Sequence, residues 1–199
     1  MLTFKYDKSF VAFVECTTPG FEGYLDCGEL KMKPLADDPH GREVPHRRAA
    51  DWLTVTSYKG REAHRFWFRC FEDSSTGKRY FDIQSWSRRT GRDLKTKQRH
   101  CDLSSNGYVG LHEAETPHEC LWQVSVFDQD TYCDVGDDLA LGKIESVVIA
   151  SYKDTLLCAY GREQVGNEWY CYAADSNGPA LILTLDIQDL GEELLENQG

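Results

Sequence analysis

The sequence predicts an all-β protein, an antiparallel β-sandwich with little helix. Apolar and polar residues alternate with a period of two in nearly every apolar stretch, which is the pattern of a strand with one buried face. Clusters of Gly, Asn, Asp and Ser separate these stretches and favour tight turns. Many short strands at this spacing are typical of an antiparallel sandwich. The clearest turn clusters are 73–77, 104–107 and 175–179.

The same alternation predicts the individual strands. Phe66, Phe68 and Cys70, for example, define one face of a strand whose other face carries arginines and a tryptophan. Residues 34–50 contain three prolines and are predicted to form a loop or linker. The best helix candidate is 190–196, near the C-terminus. In chain order, the predicted strands are 10–15, 52–57, 65–70, 79–84, 122–126, 144–150, 155–160, 168–173 and 181–187.

At 199 residues the chain is long enough for one domain with an extension. We predict an N-terminal extension with a β-hairpin over 1–45, a sandwich over 50–190 and an acidic tail over 191–199. Charges interrupt the N-terminus where a signal peptide is apolar, and no apolar run reaches about 18 residues. The expected location is cytoplasmic, with peripheral membrane association. Its eight cysteines are then expected to be reduced, buried thiols.

Charge is strongly segregated along the chain. The net charge is −11, yet residues 42–100 carry 15 of the 22 basic residues and only 7 of the 33 acidic ones. Residues 101–199 carry 19 acidic and 3 basic residues. Such a separation predicts a surface with a cationic pole and an anionic pole.

Residues 121–143 contain an alternating strand that ends in Phe127-Asp128-Gln129-Asp130, followed by Asp137-Asp138-Leu139 and then Gly142. This stretch resembles the C2 domain family, in which an apolar strand ends in D-x-D and a loop brings a further Asp. The resemblance extends over roughly 50–190. Residues 71–83 resemble the family's first calcium loop, although Lys78-Arg79-Tyr80 stands where Asp-Pro-Tyr is usual.

The resemblance implies a Ca²⁺ site. Calcium binds about six to eight oxygen atoms, largely from carboxylates. Asp128 and Asp130 are two residues apart, so on a strand their side chains point the same way. The alternative is that these aspartates only stabilise a turn. The metal ligands that the resemblance implies are Asp128, Asp130, Asp137 and Asp138, with Glu72 and Asp73 from the first loop.

The segment 87–100 carries six Lys or Arg residues and one acid. In C2 domains a basic patch on the corresponding strands contacts anionic lipid headgroups, and such patches attract acidic membranes. The acidic character of the whole chain disfavours nucleic acid as the partner. A further alternative is that this segment pairs with the acidic half of the same protein. The predicted lipid-binding residues are Arg88, Arg89, Arg92, Lys95 and Lys97.

The sequence therefore predicts a non-enzymatic module that binds anionic phospholipid membranes through calcium, the basic patch or both. The alternative is a metal-independent sandwich that binds a protein or a carbohydrate. The five tryptophans occupy strand positions and are predicted to be core, but one or two on an exposed face would suit stacking against a sugar. Cysteines and histidines are scattered without a catalytic or zinc-binding spacing, which favours binding over catalysis.

Overall fold

The computed structural model describes residues 1–36, 38–60, 63–86, 100–112, 121–128, 131–135 and 139–191. The predicted fold class is confirmed: the described chain is an all-β protein in which every strand pairing is antiparallel. The strands are β1 Leu2–Cys16, β2 Gly23–Pro34, β3 Glu43–Thr56, β4 Arg65–Asp73, β5 Arg79–Trp86, β6 His100–Leu103, β7 Val109–His112, β8 Leu121–Asp128, β9 Thr131–Asp134, β10 Gly142–Ala150, β11 Cys158–Val165, β12 Glu168–Ala174 and β13 Leu183–Leu190.

Six strands form a closed ring of hydrogen-bonded neighbours. β1 pairs with β4, β4 with β5, β5 with β8, β8 with β10, β10 with β13, and β13 returns to β1. The ring joins the two ends of the described chain, since Phe10 lies opposite Leu190. Closure removes exposed strand edges from this part of the molecule.

Apart from β9, which pairs with β8, the remaining strands form a second layer beside the ring. β2 and β3 make a long hairpin that we call the arm, and β3 also pairs with β12, which pairs with β11. The short strands β6 and β7 connect β5 to β3, with Gln84 opposite His100 and Trp52 opposite Gly110. The arm reaches the turn between β11 and β12, where Gly166 approaches Met32 and Pro45.

One large apolar core fills the space between these strands. Leu181, Leu183, Leu185 and Ile187, which alternate in the sequence, are all buried in it, as the predicted strand pattern requires. Phe10 and Phe68 stack with ring centroids 4.7 Å apart. Along β12, for example, alternate residues enter this core, so the opposite face remains available for polar and aromatic groups.

One expectation about local structure is wrong, and another lies largely outside the described residues. The predicted linker over 34–50 is wrong in its second half, because β3 begins at Glu43. Pro45 is tolerated there because residues 43–49 pair with β2 on one side only. Residue 190 ends β13, and 192–199, which include most of the predicted helix and the acidic tail, lie outside the described residues. The described residues contain no helix that could cross a bilayer.

The proposed division into an extension over 1–45 and a sandwich over 50–190 stays a prediction. In the structure, β1 hydrogen-bonds to β4 on one side and to β13 on the other. β2 pairs with β1 and β3.

Candidate functional site

The described residues place part of the predicted metal site. Asp128 is exposed at the end of β8. Glu72 forms ion pairs with Lys5 and Arg79, with N–O distances of 3.3 and 3.6 Å. Asp73 accepts hydrogen bonds from the Ser75 amide at 3.1 Å and from the N-terminal ammonium at 3.0 Å. These bonds, the first most strongly, hold the pKa of its carboxyl well below the usual range.

The other predicted ligands, Asp130, Asp137 and Asp138, lie outside the described residues, as do Arg88, Arg89, Arg92, Lys95 and Lys97 of the basic patch. Within the described ranges, no group of three or more His, Cys, Asp or Glu side chains is arranged to hold a metal ion. Calcium binding and lipid binding therefore stay predictions.

The tryptophans separate into two groups. Trp67, Trp86, Trp122 and Trp169 are buried, as the sequence predicts for strand tryptophans. Trp52 differs, because its side chain on β3 is half-buried. A partly exposed tryptophan on a rigid strand is a candidate for contact with a ligand.

Trp52 belongs to a continuous set of aromatic rings, which we call the aromatic patch: Trp52, Tyr108, Tyr160, Tyr170 and Tyr172. Tyr108 is central, with its ring centroid 6.0 Å from Trp52, 5.4 Å from Tyr160 and 5.6 Å from Tyr172. Tyr170 extends the set, 5.6 Å from Tyr172. All four contacts are edge-to-face, the arrangement that aromatic quadrupoles favour.

The alternation of β12 produces the base of the patch. Trp169, Cys171 and Ala173 point into the core, which turns Tyr170 and Tyr172 to the opposite face. Tyr160 of β11 lies opposite Tyr172 in the register, so the two rings share that face. Tyr108 joins them through a bridge to Ala174 at the end of β12.

Carboxylates hold the two inner tyrosines. Tyr170 donates a hydrogen bond to Glu163 Oε2 at 2.8 Å, and Tyr172 donates one to Glu29 Oε1 at 3.1 Å. Burial raises the pKa of Tyr170 well above its usual value, and the Tyr172 hydroxyl and the Glu163 carboxylate add to this effect. Burial and Glu29 also raise the pKa of Tyr172. Both phenols therefore remain neutral donors at physiological pH.

Exposure increases from the base of the patch to its rim. Tyr170 is 4% exposed, while Tyr160 is 38% exposed. A bulge between Tyr160 and Glu163 contains Gly161, whose φ of 65° is in the left-handed region that favours glycine. Partial burial and the Tyr160 hydroxyl raise the pKa of Tyr108. The patch is thus a fixed base of tyrosines with Trp52, Tyr108 and Tyr160 nearer to solvent.

Sequence reasoning did not identify the tyrosines of this patch. The alternation of Tyr170 and Tyr172 was visible, and it indicated that these two residues share a face. Nothing local indicated that Tyr108 and Tyr160 would join them, because the contacts depend on how β3, β7, β11 and β12 are arranged.

A second candidate is a cavity of about 260 Å³ lined by Tyr24, Tyr58, Lys59 and His64, among others. His64 lies between Ser85 Oγ, 2.7 Å from Nε2, and Asp26 Oδ1, 3.8 Å from Nδ1. The arrangement Ser85–His64–Asp26 resembles a hydrolytic triad. However, the Asp26 carboxylate accepts two hydrogen bonds from the guanidinium group of Arg47. The cluster is better explained as a buried ion pair between Asp26 of β2 and Arg47 of β3, the two strands of the arm.

No protein-family model, curated protein or solved structure matches this chain. The inference of function therefore depends on the geometry of the aromatic patch and on the charge of the surface.

Proposed function

We propose that the protein is a non-enzymatic, metal-independent binding module that recognises a carbohydrate at the aromatic patch. The observation that carries this proposal is the unbroken contact of five aromatic rings from the buried Tyr170 to the exposed Tyr160. An aromatic ring carries negative potential on its face and attracts the weakly positive C–H groups of a sugar ring.

The groups around the rings also suit a sugar. Tyrosine hydroxyls and the carboxylates of Glu29 and Glu163 can exchange hydrogen bonds with sugar hydroxyls. Their mutual hydrogen bonds already fix the inner rings, so little side-chain entropy is lost when a ligand binds. A preorganised aromatic surface with polar neighbours therefore supports recognition of an uncharged, hydroxyl-rich ligand.

The thiols also support a binding role over catalysis. Burial raises the pKa of Cys70 and of Cys171 to about 12, whereas a catalytic cysteine needs a lowered pKa. Cys133, the exposed thiol among the described cysteines, has no neighbouring histidine in any described contact.

The test is a glycan array, followed by titration calorimetry with the oligosaccharide that gives the strongest signal. We expect Tyr160→Ala and Trp52→Ala to weaken binding by about ten-fold or more. Tyr152→Ala is the matched control, because Tyr152 is also an exposed tyrosine but makes no contact with the patch. Excess EDTA should leave the binding unchanged.

An array without any signal would contradict the proposal, as would binding that Tyr160→Ala does not weaken. Binding that EDTA abolishes would instead favour the calcium hypothesis. The calcium hypothesis is tested by calorimetry with calcium on the native protein and on the variant Asp128→Ala/Asp130→Ala. Sedimentation with anionic liposomes in the absence of calcium tests the basic patch.

A further inference from the structure

A second surface, separate from the aromatic patch, lies at the edge of the ring. β9 ends the path of paired strands and, among the described strands, pairs only with β8. All four of its residues are exposed. A strand in this position presents unpaired backbone groups to any chain that can add beside it.

The hydrogen-bond pattern shows which backbone groups face outward. Val135 N–H donates to Val124 O at 3.0 Å, so these two residues form a hydrogen-bonded pair. In an antiparallel ladder such pairs alternate with non-hydrogen-bonded pairs. Tyr132 opposite Phe127 and Asp134 opposite Ser125 are then non-hydrogen-bonded. Their N–H and C=O groups therefore point away from β8.

Other terminal strands are protected by a covering segment, by lysine or by proline. At β11, Ala159 N–H donates to Pro179 O, and Arg162 donates to Gly20 O. The free edges of the arm carry Lys31, Lys33, Pro34 and Pro45, residue types that prevent strand addition. β9, which reads Thr-Tyr-Cys-Asp, contains neither lysine nor proline.

The side chains on one face of β9 specify the chemistry of a partner. Tyr132 and Asp134 are two apart and share a face. The ring of Tyr132 contacts Phe127 at 5.1 Å, and both rings are more than a third exposed. Asp134 is exposed on this face, and exposed Asp128, opposite Thr131, adds a carboxylate on the other face. Both lie within residues 101–199, which carry 19 acidic and 3 basic residues. The edge is thus both apolar and acidic.

We propose that β9 is a docking edge for an extended, basic segment of a partner protein. The segment adds as a strand along Tyr132 and Asp134, with its main chain bonded to their outward N–H and C=O groups. On the shared face, an apolar side chain of the partner packs against Tyr132, and a lysine or arginine two residues away lies opposite Asp134. Cross-strand pairs of both kinds stabilise antiparallel strands.

The first experiment uses a fluorescein-labelled peptide of two Val-Thr-Lys-Thr repeats, which places valine and lysine alternately on one face. The matched control contains two Val-Thr-Glu-Thr repeats. Fluorescence anisotropy should show binding of the lysine peptide about ten-fold or more tighter than that of the glutamate peptide. Raising the salt concentration should weaken it.

A second control separates strand addition from charge attraction. The lysine peptide with N-methyl groups on alternate amides keeps its side chains but loses the donors that face β9, so its binding should be lost. In amide-exchange NMR of the native protein, Tyr132 and Asp134 should become protected when the lysine peptide is added. Equal binding of the N-methylated peptide, or unchanged exchange at these two amides, would overturn the proposal.

Variants complete the test. Asp134→Asn should weaken peptide binding several-fold, and Asp134→Pro, which also removes the outward N–H, should abolish it. Asp189→Asn is the control, since Asp189 is an exposed carboxylate on β13, away from β9. Amide-exchange NMR of the native protein makes the conclusion independent of whether the proline variant folds.

If phosphatidylserine vesicles with calcium protect the amides of Tyr132 and Asp134 from exchange while the lysine peptide does not, β9 contacts a membrane and the proposal fails.

Discussion

His100 Nδ1 donates a hydrogen bond of 2.6 Å to Asp82 Oδ1, in a site where both side chains are almost fully buried. The second carboxylate oxygen of Asp82 accepts from Gln84 at 2.8 Å and from Arg69 at 3.1 Å. One buried carboxylate thus joins β4, β5 and β6, the strands that lead from the ring to the second layer.

We expect Asp82→Asn to lower the free energy of unfolding by about 3–5 kcal/mol, because the change leaves buried donors without their charged acceptor. Urea denaturation followed by tryptophan fluorescence measures this effect. Asp128→Asn, an exposed carboxylate on β8, should change stability by less than about 0.5 kcal/mol. Equal effects of the two substitutions would show that the buried carboxylate does not stabilise the junction.

Gly178 should tolerate no side chain. A Cβ built there would lie 1.7 Å from the backbone oxygen of Ala159, and a backbone atom cannot rotate away. Gly178→Ala is therefore expected to destabilise the protein by about 3 kcal/mol. Gly77→Ala, where space is open but φ is 71°, should cost only about 1–2 kcal/mol. Thermal unfolding of both variants measures the two losses of stability, from steric overlap at Gly178 and from backbone strain at Gly77. A smaller loss for Gly178→Ala than for Gly77→Ala would contradict this prediction.

The aromatic patch predicts a loss of stability at alkaline pH. The folded-state pKa values of Tyr108, Tyr170 and Tyr172 are raised above their usual value. Stability from these groups is fully present below the pKa of the unfolded state, about 10, and is lost as pH rises through the folded pKa. Tyrosinate absorbance and urea unfolding between about pH 9 and pH 12 measure both effects.

Tyr170→Phe serves as the control for this pH dependence. It should reduce the loss of stability at high pH, because phenylalanine has no proton to release. If all tyrosines of the native protein titrate together near the usual pKa, without loss of stability, the raised pKa values are wrong.

Thiol reactivity tests the burial of the cysteines. None of the seven described cysteines forms a disulfide, and Cys133 is exposed, Cys158 is half-buried and the other five are buried. Cys120 lies outside the described residues, so the assay uses Cys120→Ser. We expect DTNB to react rapidly with Cys133 and to modify the buried thiols only as fast as the protein unfolds.

Adding Cys133→Ser to this background should remove the rapid phase. A rapid phase that persists after Cys158→Ser is also added would show that a buried thiol is activated, and that result would favour an enzyme with a reactive cysteine over a binding module.

Much of the β structure could be predicted from the sequence, because alternation is a local property. The predicted core face at 181–187 and four of the five tryptophans are buried as expected. The prediction of a linker over 34–50 was wrong in its second half. Its prolines indicated a linker, whereas Pro45 is tolerated on a strand that is paired on one side only. Asp128 was identified from its position at the end of an apolar stretch, and it is the last residue of β8.

Antiparallel strands and the division of charge between two segments could both be predicted from the sequence. Alternation of apolar and polar residues and the charge of a segment are local properties, which neighbouring residues define. Which strands pair with one another is visible in the fold and not in the sequence. Phe10 and Leu190 pair across almost the whole chain, and the rings of Trp52, Tyr108, Tyr160 and Tyr172 come together from distant segments. The physical reason is that strand pairing and core closure depend on contacts between residues far apart in the chain, which local patterns do not specify.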